Sequence, residues 1–217
     1  MDKIKPIPPI PLDTFENLLE FHANEKTSVK VSNGGLPYAA ILMGVMFKHC
    51  RGMARIYCHG FKPELVCELP FWTEFCDYIR NPKNCLYALV DSTEWINERP
   101  MKLLKQLKEE RSITEHVIEY KRRKEGKGNK KVKKVKDIII PDTSIIVKQI
   151  HPDSAKMIAK RYGESIHFSV FDNEKFRYEY DSENYKAYGS FNQPDNCKYL
   201  IETFDQAFND PASKIII

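Results

Sequence analysis

The sequence predicts an α/β protein: a mixed, mostly parallel sheet flanked by helices on both faces. Three observations predict it. Strand-like and helix-like stretches alternate along most of the 217 residues, the order that builds parallel sheets covered by helices. The stretch from Pro37 to Cys50 is apolar almost all round, so its helix must be buried against a sheet. "NCLYALVD", from Asn84 to Asp91, is a continuous apolar run of strand length.

Element by element, the chain opens on a Pro-rich arm over residues 1–13, with polyproline-like composition. Asp13 or Thr14 caps a helix in which Phe15, Leu18, Leu19 and His22 recur at helical spacing. "SVKVS" is a short strand and Asn33–Gly35 a turn. Pro37 begins the buried helix. Ala54–Phe61 reads as a strand, and Pro63–Arg80 as one helix bent at Pro70. The Asn84 strand follows, then an amphipathic helix around Pro100. "ITEHVIEY" is a strand leading into a basic segment, and "DIIIP" and "SIIVKQI" supply more strand. Asp153 or Ser154 caps a helix that stops at Gly163. "SIHFSVF" and "FRYEYD" form a hairpin across "DNEK", "NYKAYGSFN" is a further strand, and Asn196–Asp210 is the closing helix. No linker interrupts this order, so residues 1–217 read as one domain.

Composition narrows the function classes. No apolar run approaches the ~20 residues that cross a bilayer, and "MDKIKPIPPIPLD" lacks a secretory apolar core. A cytoplasmic protein with no membrane partner is expected. The six cysteines include no C-x-x-C pair, so they read as small buried residues in a reducing compartment. His49-Cys50 and Cys58-His59 are the weak candidates for a metal. The charge is uneven. Residues 121–136 hold ten Lys and Arg against one Glu, a charge of +9, while the whole chain carries only +4 and the remainder therefore −5. The ten are Lys121, Arg122, Arg123, Lys124, Lys127, Lys130, Lys131, Lys133, Lys134 and Lys136. Such a block is expected to be a solvated insertion loop. It suits sequence-nonspecific contact with nucleic acid phosphates, DNA first, because bound Lys and Arg release condensed counterions.

The C-terminal third holds the candidate site. His167 and Ser169 share one face of their strand, Arg177 and Glu179 one face of the next. Lys186, Ser190 and Asn192 point the same way in the strand after it. A fold that gathers His167, Lys186, Ser190 and Asn192 around one pocket is expected. Ion pairing is the ordinary role for Glu179, and core packing that for Phe176, Tyr178 and Tyr180. "NGG" before the apolar helix lacks any phosphate-loop spacing.

A histidine in a buried strand, an acidic residue, then G-S-x-N and a final helix with F-D-x-x-F resembles the phospholipase D superfamily, over roughly residues 30–209. His167 stands at the family's histidine, and Gly189, Ser190 and Asn192 at its closing group. Asp172 lies closer to the histidine than the family's aspartate, and Ser169 stands where the family has lysine. The resemblance implies a phosphodiesterase or nuclease that works through a phosphohistidine and needs no metal or other cofactor. His167 would be nucleophile or acid, Lys186 and Asn192 phosphate ligands, Ser190 their support, and Arg177, Glu179 and Asp172 auxiliary groups. Lys186 or Arg177 would have to replace the missing lysine, whose loss costs about 3 kcal/mol of transition-state stabilisation. A family member with one motif needs two copies, so a homodimer with facing His167 residues is implied. The alternative is a catalytically inactive module that binds nucleic acid or a partner protein, for example as a subunit of an antiviral defence or mobile-element system.

Overall fold

The computed structural model describes residues 10–125, 128–140, 142–164 and 166–217, without the side chains of 114–138. Most of the Pro-rich arm, residues 1–9, lies outside the described residues, as do the ten basic side chains of 121–136. In chain order the elements are α1 (Leu12–Asn24), β1 (Val31–Gly34), α2 (Leu36–Lys48), β2 (Met53–Cys58), α3 (Pro63–Val66), α4 (Leu69–Arg80), β3 (Cys85–Val90) and α5 (Arg99–Arg111). There follow β4 (Ile113–Glu125), β5 (Gly128–Ile140), β6 (Ile145–Gln149), α6 (Pro152–Tyr162), β7 (His167–Phe171), β8 (Lys175–Asp181), β9 (Lys186–Ser190), α7 (Pro194–Phe208) and β10 (Lys214–Ile215).

Eight strands form one sheet in the order β1-β9-β8-β7-β2-β3-β6-β10. Only β2–β3 and β3–β6 pair in parallel; β7, β8, β9, β1 and β10 all add antiparallel neighbours. The sheet is therefore mixed but mostly antiparallel, a correction to the expected parallel majority. The reason is local. After α6, short turns join β7 to β8 and β8 to β9, and short turns can join only antiparallel strands; β1 and β10 add antiparallel at the two edges of the sheet.

Helices cover both faces. Against one face Leu19 of α1, Leu42 and Phe47 of α2, Phe75 of α4 and Leu104 of α5 build the larger core with Ile56 and Phe171. Against the other, Ile158 of α6 and Phe204 of α7 pack on Phe168 and Phe176. Gly44 of α2 admits Pro70 of α4: an added Cβ would stand 2.7 Å from the Pro70 carbonyl oxygen.

Three boundaries differ from the sequence reading. Pro70 does not bend a long helix. It sits in the first turn of α4, where its missing N–H costs nothing, and the chain breaks between α3 and α4 instead. Over its described residues, 121–125 and 128–136, the basic segment is strand rather than loop. Its backbone runs along β4 and β5, paired antiparallel in a separate two-stranded sheet from Ile113↔Ile140 to Glu125↔Gly128. Helix α6 is capped by the His151 ring, which accepts from the Asp153 backbone N–H at 3.4 Å, rather than by Asp153 or Ser154.

Candidate active site

The candidate site lies where the parallel strands β2 and β3 end. Open α/β sheets place ligands in the crevice beyond such carboxyl ends. Cys58 and Val90 close the parallel ladder in register. The backbone pairing then continues outward: Asp91 N–H donates to the Cys58 carbonyl at 3.2 Å, and Ser92 N–H to the His59 carbonyl at 2.9 Å. These bonds fix His59 beside Asp91. Strand β7 runs antiparallel to β2, so its first residue, His167, arrives at the same end. His167 faces Glu179 across β7–β8, and Ser169 faces Arg177.

The result is a chain of alternating basic and acidic side chains. Arg177 Nη2 donates to Glu179 Oε1 at 2.8 Å. Glu179 Oε2 lies 3.4 Å from His167 Nδ1, and His167 Nε2 lies 3.5 Å from Asp91 Oδ2. The other Asp91 oxygen contacts His59 Nδ1. The two imidazole rings are 6.3 Å apart. His167 is only 8% exposed, while the His59 side chain is 44% exposed. One histidine is thus locked inside and the other stands at the rim.

Burial acts first on His167, Glu179 and Asp91, and their partners overcome it. Burial alone would lower His167, but hydrogen bonds and charge from Asp91 and Glu179 hold it above the usual histidine value. Burial would raise Glu179, yet His167 and Arg177 pull it down to about 2. Burial would also raise Asp91, and His167 and His59 hold it below the usual carboxylate value. Cys58 has no such help: burial, then the Asp91 charge, pushes its thiol far up, so it is no nucleophile.

A cavity of about 60 Å³ opens beside this chain. His59, Lys62, His167, Arg177, Glu179 and Tyr185 bring polar atoms to it, while Met43, Ile56, Phe61 and Phe71 are among its apolar lining. Arg177 is buried, and its Nε–H has no acceptor among the described residues. A buried donor left unpaired in a cavity suits an oxygen-bearing ligand.

The structure separates several residues that the sequence reading brought together. His167, Arg177 and Glu179 do meet. Lys186, Ser190 and Asn192 do not join them. Arg177 pairs with Gly189 and Phe176 with Ser190. By strand alternation Ser190 therefore points to the face opposite His167, where its hydroxyl is buried with no partner among the described residues. Lys186 has the same parity and pairs with Asp181 at 3.2 Å. Asn192 donates to the Lys26 carbonyl at 2.8 Å. Asp172 lies at the far end of β7, where its carboxylate accepts from Arg51 N–H and Lys175 Nζ. It pins the β7–β8 turn, in which Asp172 and Asn173 both have positive φ. His49-Cys50 and Cys58-His59 flank opposite ends of β2, about 20 Å apart for a six-residue strand, so they share no metal site.

His59 and Asp91 were missed as a pair. Each is the first polar side chain after a buried parallel strand, and that position was the available signal.

No family model matches the sequence, and no curated protein matches it either. The fold is similar to that of TrmBL2, described as an archaeal chromatin protein with a novel mode of DNA binding. The TM-score is 0.51 at 10% identity, over 94% of this chain and 62% of TrmBL2. The chain thus spans less than two thirds of that protein, and the likeness concerns the fold alone. Among the described residues no helix is long and apolar enough to cross a membrane.

Proposed function

We propose that this protein is a nucleic acid phosphodiesterase in which His59 acts as general base on water, without the phosphohistidine that the phospholipase D resemblance implies. The observation that carries the proposal is the Asp91 carboxylate held between two histidines of one chain. Asp91 fixes His59 with Nδ1 inward. Nε2, which has no partner among the described residues, is left to take a proton from an attacking water. The imidazolium that forms is stabilised by Asp91, as a carboxylate stabilises histidine in hydrolytic triads; as the water oxygen bonds to phosphorus, the bond from phosphorus to the departing sugar oxygen breaks, and that oxygen takes its proton from solvent water. Arg177 and Lys62 supply positive charge for the phosphoryl oxygens. His167 is a positioning residue in this scheme. Both its nitrogens face carboxylates, so it cannot attack phosphorus without abandoning one of them. Because the second histidine comes from the same chain, the reaction does not require a homodimer. The nine basic residues on β4 and β5, Lys121–Lys124 and five of Lys130–Lys136, add sequence-nonspecific affinity for the nucleic acid backbone.

A second reading has its own support. Ser169 stands where the phospholipase D family has lysine, and Lys186 and Asn192 are turned to other partners. On that reading the chain binds nucleic acid without cleaving it, and the fold shared with TrmBL2 agrees with it. Cleavage of labelled DNA and RNA in chelator, with binding measured in parallel, separates the two. Cleavage abolished by His59→Gln supports the phosphodiesterase. Salt-sensitive binding with no cleavage by the wild-type protein supports the binding module.

A further inference from the structure

The opposite face of the sheet carries a second feature, unconnected to His59. Between β8, β9, α6 and α7 lies an open groove lined by Tyr162, Tyr178, Tyr188 and Tyr199, with Lys30 and Arg161 on its rim. Phe176 and Leu200, both buried, form its floor. Tyr178 and Tyr188 are directly opposed across β8–β9, with ring centroids 5.2 Å apart. Tyr162 continues the row 6.2 Å from Tyr178. Tyr199 is 55% exposed.

The tyrosines are not a core fragment left open by accident of size. The inner ones are held in place through their hydroxyls: Tyr178 donates to the Tyr162 carbonyl at 3.1 Å, and Tyr162 to the Tyr199 carbonyl at 3.3 Å. Among the described residues Tyr188 and Tyr199 make no such bond from their hydroxyls. The rings therefore form a braced aromatic surface that water covers at its outer end. The charges fix what can lie on it. Lys30 Nζ sits 5.3 Å from the Tyr188 ring centroid and the Arg161 guanidinium 5.3 Å from that of Tyr162. Two cations already occupy ring faces here, which disfavours a cationic ligand and favours a negatively charged one with flat apolar groups. A single nucleic acid strand has both, and a duplex hides its base faces.

We infer that this tyrosine groove binds single-stranded nucleic acid: one base stacks on Tyr199, a second on Tyr188 as Lys30 leaves that ring face to pair with a phosphate, and Arg161 holds the adjacent phosphate. The inference rests on the nucleic-acid reading above and gives it a substrate form: unpaired strands. The test measures binding of a 20-nucleotide oligothymidylate, its abasic counterpart of equal charge, and a duplex. The wild-type full-length protein binds the base-bearing strand tighter than the abasic one by on the order of tenfold per stacked base. Tyr188→Ala with Tyr199→Ala erases that preference, Tyr188→Phe retains it, and Lys30→Ala weakens both strands alike. Equal binding of base-bearing and abasic strands by the wild type overturns the inference, and so does a folded double variant that keeps the preference. Should the double variant not fold, photocrosslinking of the wild type to an iodouracil-substituted strand decides: adducts on Tyr188 or Tyr199 support the site, and adducts only elsewhere refute it. Cleavage is read in the same samples. Base-dependent binding without cleavage leaves this groove standing and removes the phosphodiesterase. Cleavage without base-dependent binding removes the groove alone.

Discussion

At the scale of single residues, the buried pair His167–Glu179 ties stability to pH from two directions. Glu179 is held down at about 2, from an ordinary 4.5. Its contribution is complete above 4.5 and is lost as pH falls toward 2. His167 is raised above 6.5. Its contribution is complete below 6.5 and is lost as pH climbs through its raised value. Denaturant midpoints measured from pH 2 to pH 10 are expected to fall on both flanks. Glu179→Gln removes most of the acid limb; an unchanged acid limb in that variant would show that the pair does not govern it. His167→Ala takes one partner from buried Glu179, which keeps Arg177, and one from the partly exposed Asp91, which keeps His59; a loss of about 1–3 kcal/mol is expected in chemical denaturation. Lys186→Ala acts on a surface ion pair with Asp181. The proposed cleavage rate is expected to be unchanged in this variant, the reverse of what is implied by Lys186 standing in for the phospholipase D lysine as a phosphate ligand.

At the scale of elements, the glycine of that motif has a packing role. An added Cβ at Gly189 would stand 2.7 Å from Met46 Cε of α2 and 2.8 Å from the Phe176 carbonyl oxygen. Helix α2 lies close against β9 because residue 189 has no side chain. Gly189→Ala is expected to cost about 1–3 kcal/mol, read as a lower melting temperature. An unperturbed melting temperature would show that α2 shifts freely. Here the limit of the sequence is visible. The apolar run of α2, the β3 run and the alternation of β8 all identified their elements correctly. Phe176, Tyr178 and Tyr180 share one face and Arg177 and Glu179 the other, as period two requires. Which of those faces met His167 depended on register, and a shift of one residue exchanges the faces. Ser190 and Lys186 were placed on the wrong side for that reason alone. Likewise, charge density suggested a loop for residues 121–136, whereas strand pairing of the flanking "ITEHVIEY" and "DIIIP" extends through the basic run.

At the scale of the whole molecule, the sheet separates two candidate sites. The His59 cavity opens at the carboxyl ends of β2 and β3, and the tyrosine groove lies on the face covered by α6 and α7. On the proposed reading the hairpin makes a third contribution to binding. Replacing Lys130, Lys131, Lys133 and Lys134 by Gln removes four of the ten cations of the run. The slope of log affinity against log salt should flatten by up to about four for duplex DNA. An unchanged slope would remove the hairpin from the interface. None of this architecture follows from one local motif. His59 and Asp91 lie 32 residues apart and His167 a further 76 along, and only the β7–β2–β3 strand order brings them together.

The most direct measurement is the cleavage rate of an end-labelled oligonucleotide by the wild-type protein and by His59→Gln, purified identically and assayed at neutral pH. The wild type is expected to cleave, with His59→Gln slower by about 10²–10⁴-fold, the range that general acid–base catalysis contributes. Equal rates in the two proteins, or no cleavage by the wild type, would contradict a phosphodiesterase built on His59.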